Sequence, residues 1–402
     1  MASVLHPGRL PANFSMAERD RRYARTREMM RRAGFDAILA PCNTGHNEAF
    51  QADMRYLSQV GGFANEACIF FPLTGEPTCW VRADSQPATW WLAMQDWVKD
   101  VRGSRCNWSE NFATSLREHR MEEARIGVVG IGGTPRSADG LILHGTMTRL
   151  VESFPKATFE SATEAMAEVR MVKSAEEIAM LEKSTRIAED SVMAGARAAR
   201  PGRSDHDVYA EIVAHMLRSG AELPTLILWG AGAAPRGMSR VPPVREIEAG
   251  DLISSEVEAR YVGYIAQVRH PVFVGRINDD YARLHALAVE CFNLMFDQIR
   301  PGVTFAEVVK PYTDLVRKRG LKALAVPLHG RGLGEDLPVL YVDEHSDAYA
   351  KPILEGQVFI LGPRVGLADE SKYLAWGDTV VVGPNGARRL GILDQEPIVA
   401  SG

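Results

Sequence analysis

The sequence predicts an α/β chain of two domains, a smaller one over residues 1–165 and a larger one over 166–402 with an internal twofold repeat. Three observations predict it. A chain of 402 residues exceeds what one ordinary core accommodates. Short apolar runs alternate with charged, helically periodic stretches in the N-terminal region. In the C-terminal region a phrase recurs at an offset of 100 residues, as Arg200-Pro201-Gly202-Arg203-Ser204 and Arg300-Pro301-Gly302-Val303-Thr304.

In the N-terminal region, Ala17 to Ala33 is charged with periodic Met and Tyr and stops at Gly34, the pattern of a helix with a glycine C-cap. Residues 35–40, 67–72, 77–81 and 125–129 are short apolar or alternating runs, hence strands, with Gly75 placed for a hairpin turn. Further on, Arg170 to Arg200 reads as a long helix, in which Ser174 followed by Glu177 is a capping-box pattern. Each copy of the repeated phrase follows a long helix (Ser174 to Ala199; Asp280 to Ile299). Each then opens a second helix that runs to Gly220 or Gly320. An apolar strand comes next, Thr225 to Trp229 in one copy and Ala323 to Leu328 in the other. Two helices then a strand, done twice, implies a pseudo-twofold domain with a central sheet and a site at the junction.

Composition excludes several functions. With 46% hydrophobic and 24% charged residues the chain is an ordinary globular one. A net charge of -5 offers no attraction to nucleic acid or an anionic membrane. No apolar run approaches the ~20 residues that span a bilayer, and Met1 to Arg22 lacks the apolar core of a signal peptide. Cys42, Cys68, Cys79, Cys106 and Cys291 are odd in number and scattered, which suits reduced thiols in a cytosol rather than a disulfide framework.

The chemistry concentrates late in the chain. Gly250-Asp251 starts a hairpin, with Leu252 to Glu258 outward, a turn at Tyr261 to Gly263, and Tyr264 to Val274 back. A period of two puts Ser254, Glu256 and Glu258 on one face; with Glu256 opposite Gln267, Ile265, Gln267 and Arg269 share that face. His270 then faces the other side of the sheet. A glycine-rich stretch follows, Leu328-His329-Gly330-Arg331-Gly332-Leu333-Gly334, and then a strand ending at Gly362-Pro363-Arg364. The glycines beside His329 are expected to leave its ring open to a cavity. Arginine forks suit bidentate capture of a carboxylate or phosphate.

Gly250-Asp251-Leu252, Gly263-Tyr264, His329-Gly330-x-Gly332-Leu333, Leu354-Glu355-Gly356-x-Val358-Phe359 and Asp378-Thr379-Val380 together resemble the landmarks of the pita-bread family. That family includes methionine aminopeptidase, prolidase, aminopeptidase P and creatinase. Arg170 to Glu177 and Asp53 to Leu57 are similar to phrases of its prolidase and creatinase branch. The resemblance implies a pita-bread domain in the C-terminal region, a homodimer, and N-domain residues such as Arg55, Asn65 or Glu66 reaching toward a partner's site. The family's peptidases hold two divalent ions with Asp, Asp, His, Glu and Glu. Carried over, these positions fall on Glu256, Gln267, His329, Gly362 and Gly377. One Glu and one His cannot offset four positive charges, so no metal and no cofactor is expected, and the two glycines should open volume where ions would sit. The catalytic His of creatinase falls on Ser239, and the second histidine of prolidases on or near Asp336.

The function expected from this is metal-independent, creatinase-like hydrolysis or elimination on a small anionic molecule. His329 is its general acid/base, an imidazole with pKa near ~6.5, and Glu256 is its partner. Gln267, Arg269, Arg331, Arg364, Ser239, Asp336 and Glu258 bind the substrate. Two rivals stay open: a non-catalytic binding or regulatory protein, and a Xaa-Pro metallopeptidase with atypical ligands.

Overall fold

A computed structural model describes residues 14–42, 51–62, 65–84, 87–342 and 346–400. The start of the segment considered for a targeting signal, residues 1–13, lies outside them. The chain divides into two compact units, Met1–Arg170 with Leu333–Glu335, and Met171–Gly332 with Asp336–Gly402.

The first unit opens with the helix Met16–Ala33, started by the Ser15 side chain accepting from the Glu18 N–H and stopped at Gly34 with φ 74°. Its strands are β1 (Ala37–Ala40), β2 (Ala67–Pro72), β3 (Thr78–Arg82), β4 (Asp100–Ser104), β5 (Arg125–Val128) and β6 (Thr158–Ser161). They form one mixed sheet in the order β4-β3-β2-β1-β5-β6. The turn through Gly75 makes β2 and β3 antiparallel, whereas β1 and β5 pair in parallel. Leu39, Phe70 and Val128 pack there against Phe112, Leu116 and Leu150 from the unit's helices.

The strands of the second unit are β7 (Ile227–Gly232), β8 (Leu252–Tyr261), β9 (Tyr264–Val268), β10 (Val272–Val274), β11 (Lys322–Leu324), β12 (Leu328–Gly330) and β13 (Val339–Leu340), followed by β14 (Val358–Leu361), β15 (Arg364–Gly366), β16 (Tyr373–Ala375), β17 (Asp378–Val382), β18 (Ala387–Arg389) and β19 (Ile398–Ala400). One sheet runs β19-β10-β8-β7 with β9 also on β8, a second runs β13-β12-β14-β17-β18, and β11-β15-β16 form a third. This mixed α/β architecture is the one that the resemblance to the pita-bread family implies.

The repeat appears in three dimensions. Ala175–Ala198 is followed by Asp205–Arg218, and Asp279–Phe296 by Phe305–Lys318. The second helix of each pair begins with a full capping box, Ser204 with Asp207 and Thr304 with Glu307. Even the loop contacts match: Gly202 N–H donates to the Ile247 carbonyl and Gly302 N–H to the Ile353 carbonyl, both at 2.9 Å. Each half has its own core, one around Ile187, Trp229 and Val257, the other around Phe292, Phe359 and Val380. Thr304→Ala should cost about 1 kcal/mol, because it orphans a first-turn N–H; chemical denaturation of the whole chain measures it.

Two local departures from the sequence expectations have physical causes. The single strand expected at Ala323 to Leu328 is two, β11 and β12, which lie in different sheets. Between them Ala325 takes a left-handed φ of 59°, and Pro327 has no N–H to continue a ladder. The β8–β9 turn is the two residues Val262 and Gly263, at φ 51° and 82°. A glycine takes that conformation freely, a valine only under strain. No helix among the described residues is long and apolar enough to cross a membrane.

Candidate functional site

Strands β8 and β9 carry the centre. Their register pairs Glu258 with Gln267, so the pairing of Glu256 with Gln267 expected from sequence is displaced by two residues. A displacement of two leaves every side chain on its expected face. Gln267 Nε2 therefore still donates to Glu256 Oε2, diagonally, at 2.8 Å.

Glu256 is buried and crowded by cations. Arg364 Nη2 donates to its Oε1 at 2.8 Å, and Arg269 Nε stands 3.3 Å from the same oxygen. Arg269 Nη1 donates to the carbonyls of Gly362 at 2.7 Å and Val326 at 3.1 Å. Burial by itself would raise the Glu256 carboxyl, yet the charges of Arg269, Arg364 and Arg331 and the Gln267 amide hold it below the usual carboxylate range. One layer deeper, Arg331 Nη2 donates to Glu258 Oε1 and to Gln267 Oε1, with Arg331 and Glu258 both almost fully enclosed. Three guanidinium groups thus meet two carboxylates. Nε and Nη1 of Arg331, Nε of Arg364 and Oε2 of Glu258 are buried without a hydrogen-bond partner among the described residues.

The remaining candidates divide. His329 is buried in β12, with Val339 and Ile360 as cross-strand neighbours. The glycines around it serve close packing, not an opening. A Cβ on Gly330 would lie 2.4 Å from the Asp336 carbonyl oxygen, and one on Gly332 would lie 2.2 Å from Asp336 Oδ2. Asp336 itself is not presented to a substrate, because its buried carboxylate is ion-paired to the equally buried Lys173 at 2.5 Å. Ser239 lies exposed on the loop after β7, bonded backbone-to-backbone with Trp229, its hydroxyl donating to the Val241 carbonyl.

The glycines at the carried-over ligand positions also need correction, since the space beside them is filled. A Cβ on Gly362 would meet Arg269 Cδ and Nη1 at 2.9 Å. On Gly377 it would meet Gly362 Cα at 2.5 Å and the Leu361 carbonyl oxygen at 2.6 Å. Arg269 and Gly377 exchange both backbone hydrogen bonds, which draws this segment against β14.

Sequence reasoning passed over a second cluster, where Glu189 of the long helix, His270 just past β9 and Asp378 at the start of β17 converge. The sequence had turned His270 to the face opposite Arg269; the further signal was an acid, Glu189, lying i+4 from the buried Thr185 on the inward stripe of a long helix.

Comparison with known proteins bears on all of this. Residues 179–384, just over half of the chain, match the model of metallopeptidase family M24. The chain is 25% identical over 271 residues to the Xaa-Pro dipeptidase of Pyrococcus furiosus, covering 65% of this chain and 76% of that protein. It is 23% identical over 335 residues to a creatinase of a Bacillus species, covering 80% and 76%. Among solved structures it superposes on the X-Pro aminopeptidase of Thermotoga maritima with a TM-score of 0.78 at 18% identity, covering 94% of this chain and 99% of that one. The prolidase of Pyrococcus horikoshii gives 0.77 at 20%, with the same coverage. These relatives overturn the metal-independent hydrolase or lyase expected from sequence, for they point to metallopeptidases. The chain belongs to metallopeptidase family M24.

Proposed function

We propose that this chain is a member of family M24 that binds a small peptide-like molecule through its carboxylate, in a centre that does not take the family's pair of ions. Dipeptidase relatives support the ligand class. The surplus of guanidinium over carboxylate, three arginines against two glutamates, is the observation that carries the mode of capture. A buried N–H without a partner is costly, and an arriving carboxylate would satisfy those of Arg364 and Arg331 with charge-assisted bonds. Arg364 is the most accessible of the three, its side chain 17% exposed, and receives the ligand first. His329, Glu256 and Gln267 line the centre in this reading. The residues present do not fit two divalent ions. Of the carried-over positions only Glu256 brings a carboxylate, already faced by Arg269 and Arg364, and Gly362 and Gly377 offer neither a carboxylate nor room for one. No step through a metal is derived.

A second reading, hydrolysis of Xaa-Pro dipeptides with bound metal, is favoured by the identity to the Pyrococcus furiosus dipeptidase. One experiment separates them. Glycyl-proline is titrated calorimetrically into the purified chain, and proline release is followed with manganese, cobalt or zinc added. Saturable binding without release is expected, weakened roughly 10- to 100-fold by Arg364→Gln. Metal-dependent release would establish the second reading in its place. Absence of binding would refute the proposed one.

A further inference from the structure

The cluster of Glu189, His270 and Asp378 is separate from the arginine-lined centre and does not depend on how that centre works. Arg269 points at Glu256 and Gly362, and its neighbour His270 lies on the other face. Likewise Thr379 binds Gln267 on one side of its strand, while Asp378 turns to the other. The three residues come from a helix, from the segment just past β9 and from the start of β17, and all are buried, with exposures of 2% or less. One candidate ligand atom from each lies within 4.8 Å of the others.

His270 supplies the independent observation. Its ring is 1% exposed, it stacks on Trp376 at 5.3 Å and 17°, and neither nitrogen has a hydrogen-bond partner among the described residues. A neutral imidazole carries one N–H and one lone pair, and leaving both unmet in a dry interior is costly. The carboxylates, in contrast, are aimed and held. Glu189 accepts from the backbone N–H groups of Ile392 and Leu393, each at 2.8 Å. Asp378 accepts from the Thr379 N–H at 2.7 Å and from Arg389 Nε at 2.9 Å. Gly391 closes the floor, since a Cβ there would lie 2.3 Å from Asp378 Oδ2 and 2.4 Å from Glu189 Oε1. Two carboxylates against one guanidinium leave this enclosed site a formal negative charge.

We propose that Glu189, His270 and Asp378 hold one zinc ion. The donor set decides the metal: one imidazole and two carboxylates in a tight enclosure suit zinc, whereas calcium and magnesium require more oxygen ligands than converge here. Zinc bonds of about 2.0–2.2 Å put tetrahedral ligand atoms about 3.3–3.6 Å apart, so the three side chains close by at most about 1.5 Å on binding. The ion satisfies the imidazole lone pair and ties the long helix to the segment just past β9 and to the start of β17. Its role is structural.

The test is metal analysis of the full chain, produced without a metal-affinity step, incubated with zinc and desalted. One equivalent of zinc is expected, with a raised unfolding temperature and, after cobalt replacement, the intense visible band of four-coordinate cobalt, held by the three side chains and one water. His270→Ala and Gly391→Ala should lose the ion and the band, while His329→Ala keeps both. Circular dichroism checks that each variant is folded; if His270→Ala is not, the cobalt spectrum of the parent chain still decides between four-coordinate binding and none. Uptake below about a tenth of an equivalent overturns the proposal. So does an equivalent lost with His329→Ala and kept in His270→Ala, which would move the ion to the family's centre.

Discussion

Glu256→Gln should lower the stability of the larger unit by about 3–5 kcal/mol, the range for removing one partner of a buried ion pair. The cost does not come from the lost attraction alone. It comes from leaving Arg269, 4% exposed, and Arg364 without the carboxylate both of them face. For a unit of this size the loss corresponds to a fall in unfolding temperature of roughly 6–20 °C. Glu256→Gln combined with Arg269→Met should cost less than the sum of the single changes, because an apolar replacement of both partners leaves fewer buried charges unmatched. A four-variant set in chemical denaturation measures that coupling. Equal and additive effects would mean that the guanidinium groups find water or other partners once the carboxylate is gone.

The same carboxylate fixes the direction of the pH dependence. Its folded pKa lies below its ordinary value of 4.5, so its stabilising contribution is complete above that value and disappears as the pH falls through the lower folded one. The gap between the parent and Glu256→Gln should therefore be widest near neutrality and narrow on acidification. Asp378 runs the other way in the metal-free protein. Burial pushes it up from 3.8 to about 7, with Arg389 opposing and Glu189 adding to the rise. Its contribution is present at low pH and disappears as the pH climbs through about 7.

Much of this architecture is readable from the residues because local rules carry it. Ser174, Ser204 and Thr304 each sit three positions before an acid, and all three form complete capping boxes. The hairpin face that gathers Glu256, Glu258, Gln267 and Arg269 survives a register displacement of two residues, since the side-chain period is also two. What stayed hidden depends on contacts between distant segments. Nothing near Ala325 signals a left-handed residue that splits a strand in two. The Lys173–Asp336 pair joins positions 163 residues apart, so a carboxylate that looked available is already taken. Glycine is the hardest to read: an absent side chain announces itself, while whatever occupies the space beside it does not.

Gly377→Ala tests that last point and should rank among the most destabilising single changes in the centre. The added Cβ would stand 2.5 Å from Gly362 Cα and 2.6 Å from the Leu361 carbonyl oxygen, both backbone atoms that no rotamer change can move aside. Overpacking of this kind typically costs about 1–3 kcal/mol, and a collision with backbone belongs at or above the top of that range. Gly362→Ala should cost less, since the atoms nearest its Cβ belong to the Arg269 side chain, which can shift while Nη1 keeps its bond to the Val326 carbonyl. Arg269→Ala should then relieve some of the Gly362→Ala penalty and none of the Gly377→Ala penalty, a coupling of about 1 kcal/mol in a double-mutant cycle. Wild-type stability in Gly377→Ala would mean that β14 and this segment stand apart and leave a cavity. The predicted order, in contrast, means that a side chain at either glycine needs a compensating change beside it, the Arg269 guanidinium at Gly362 and the approach of two backbones at Gly377.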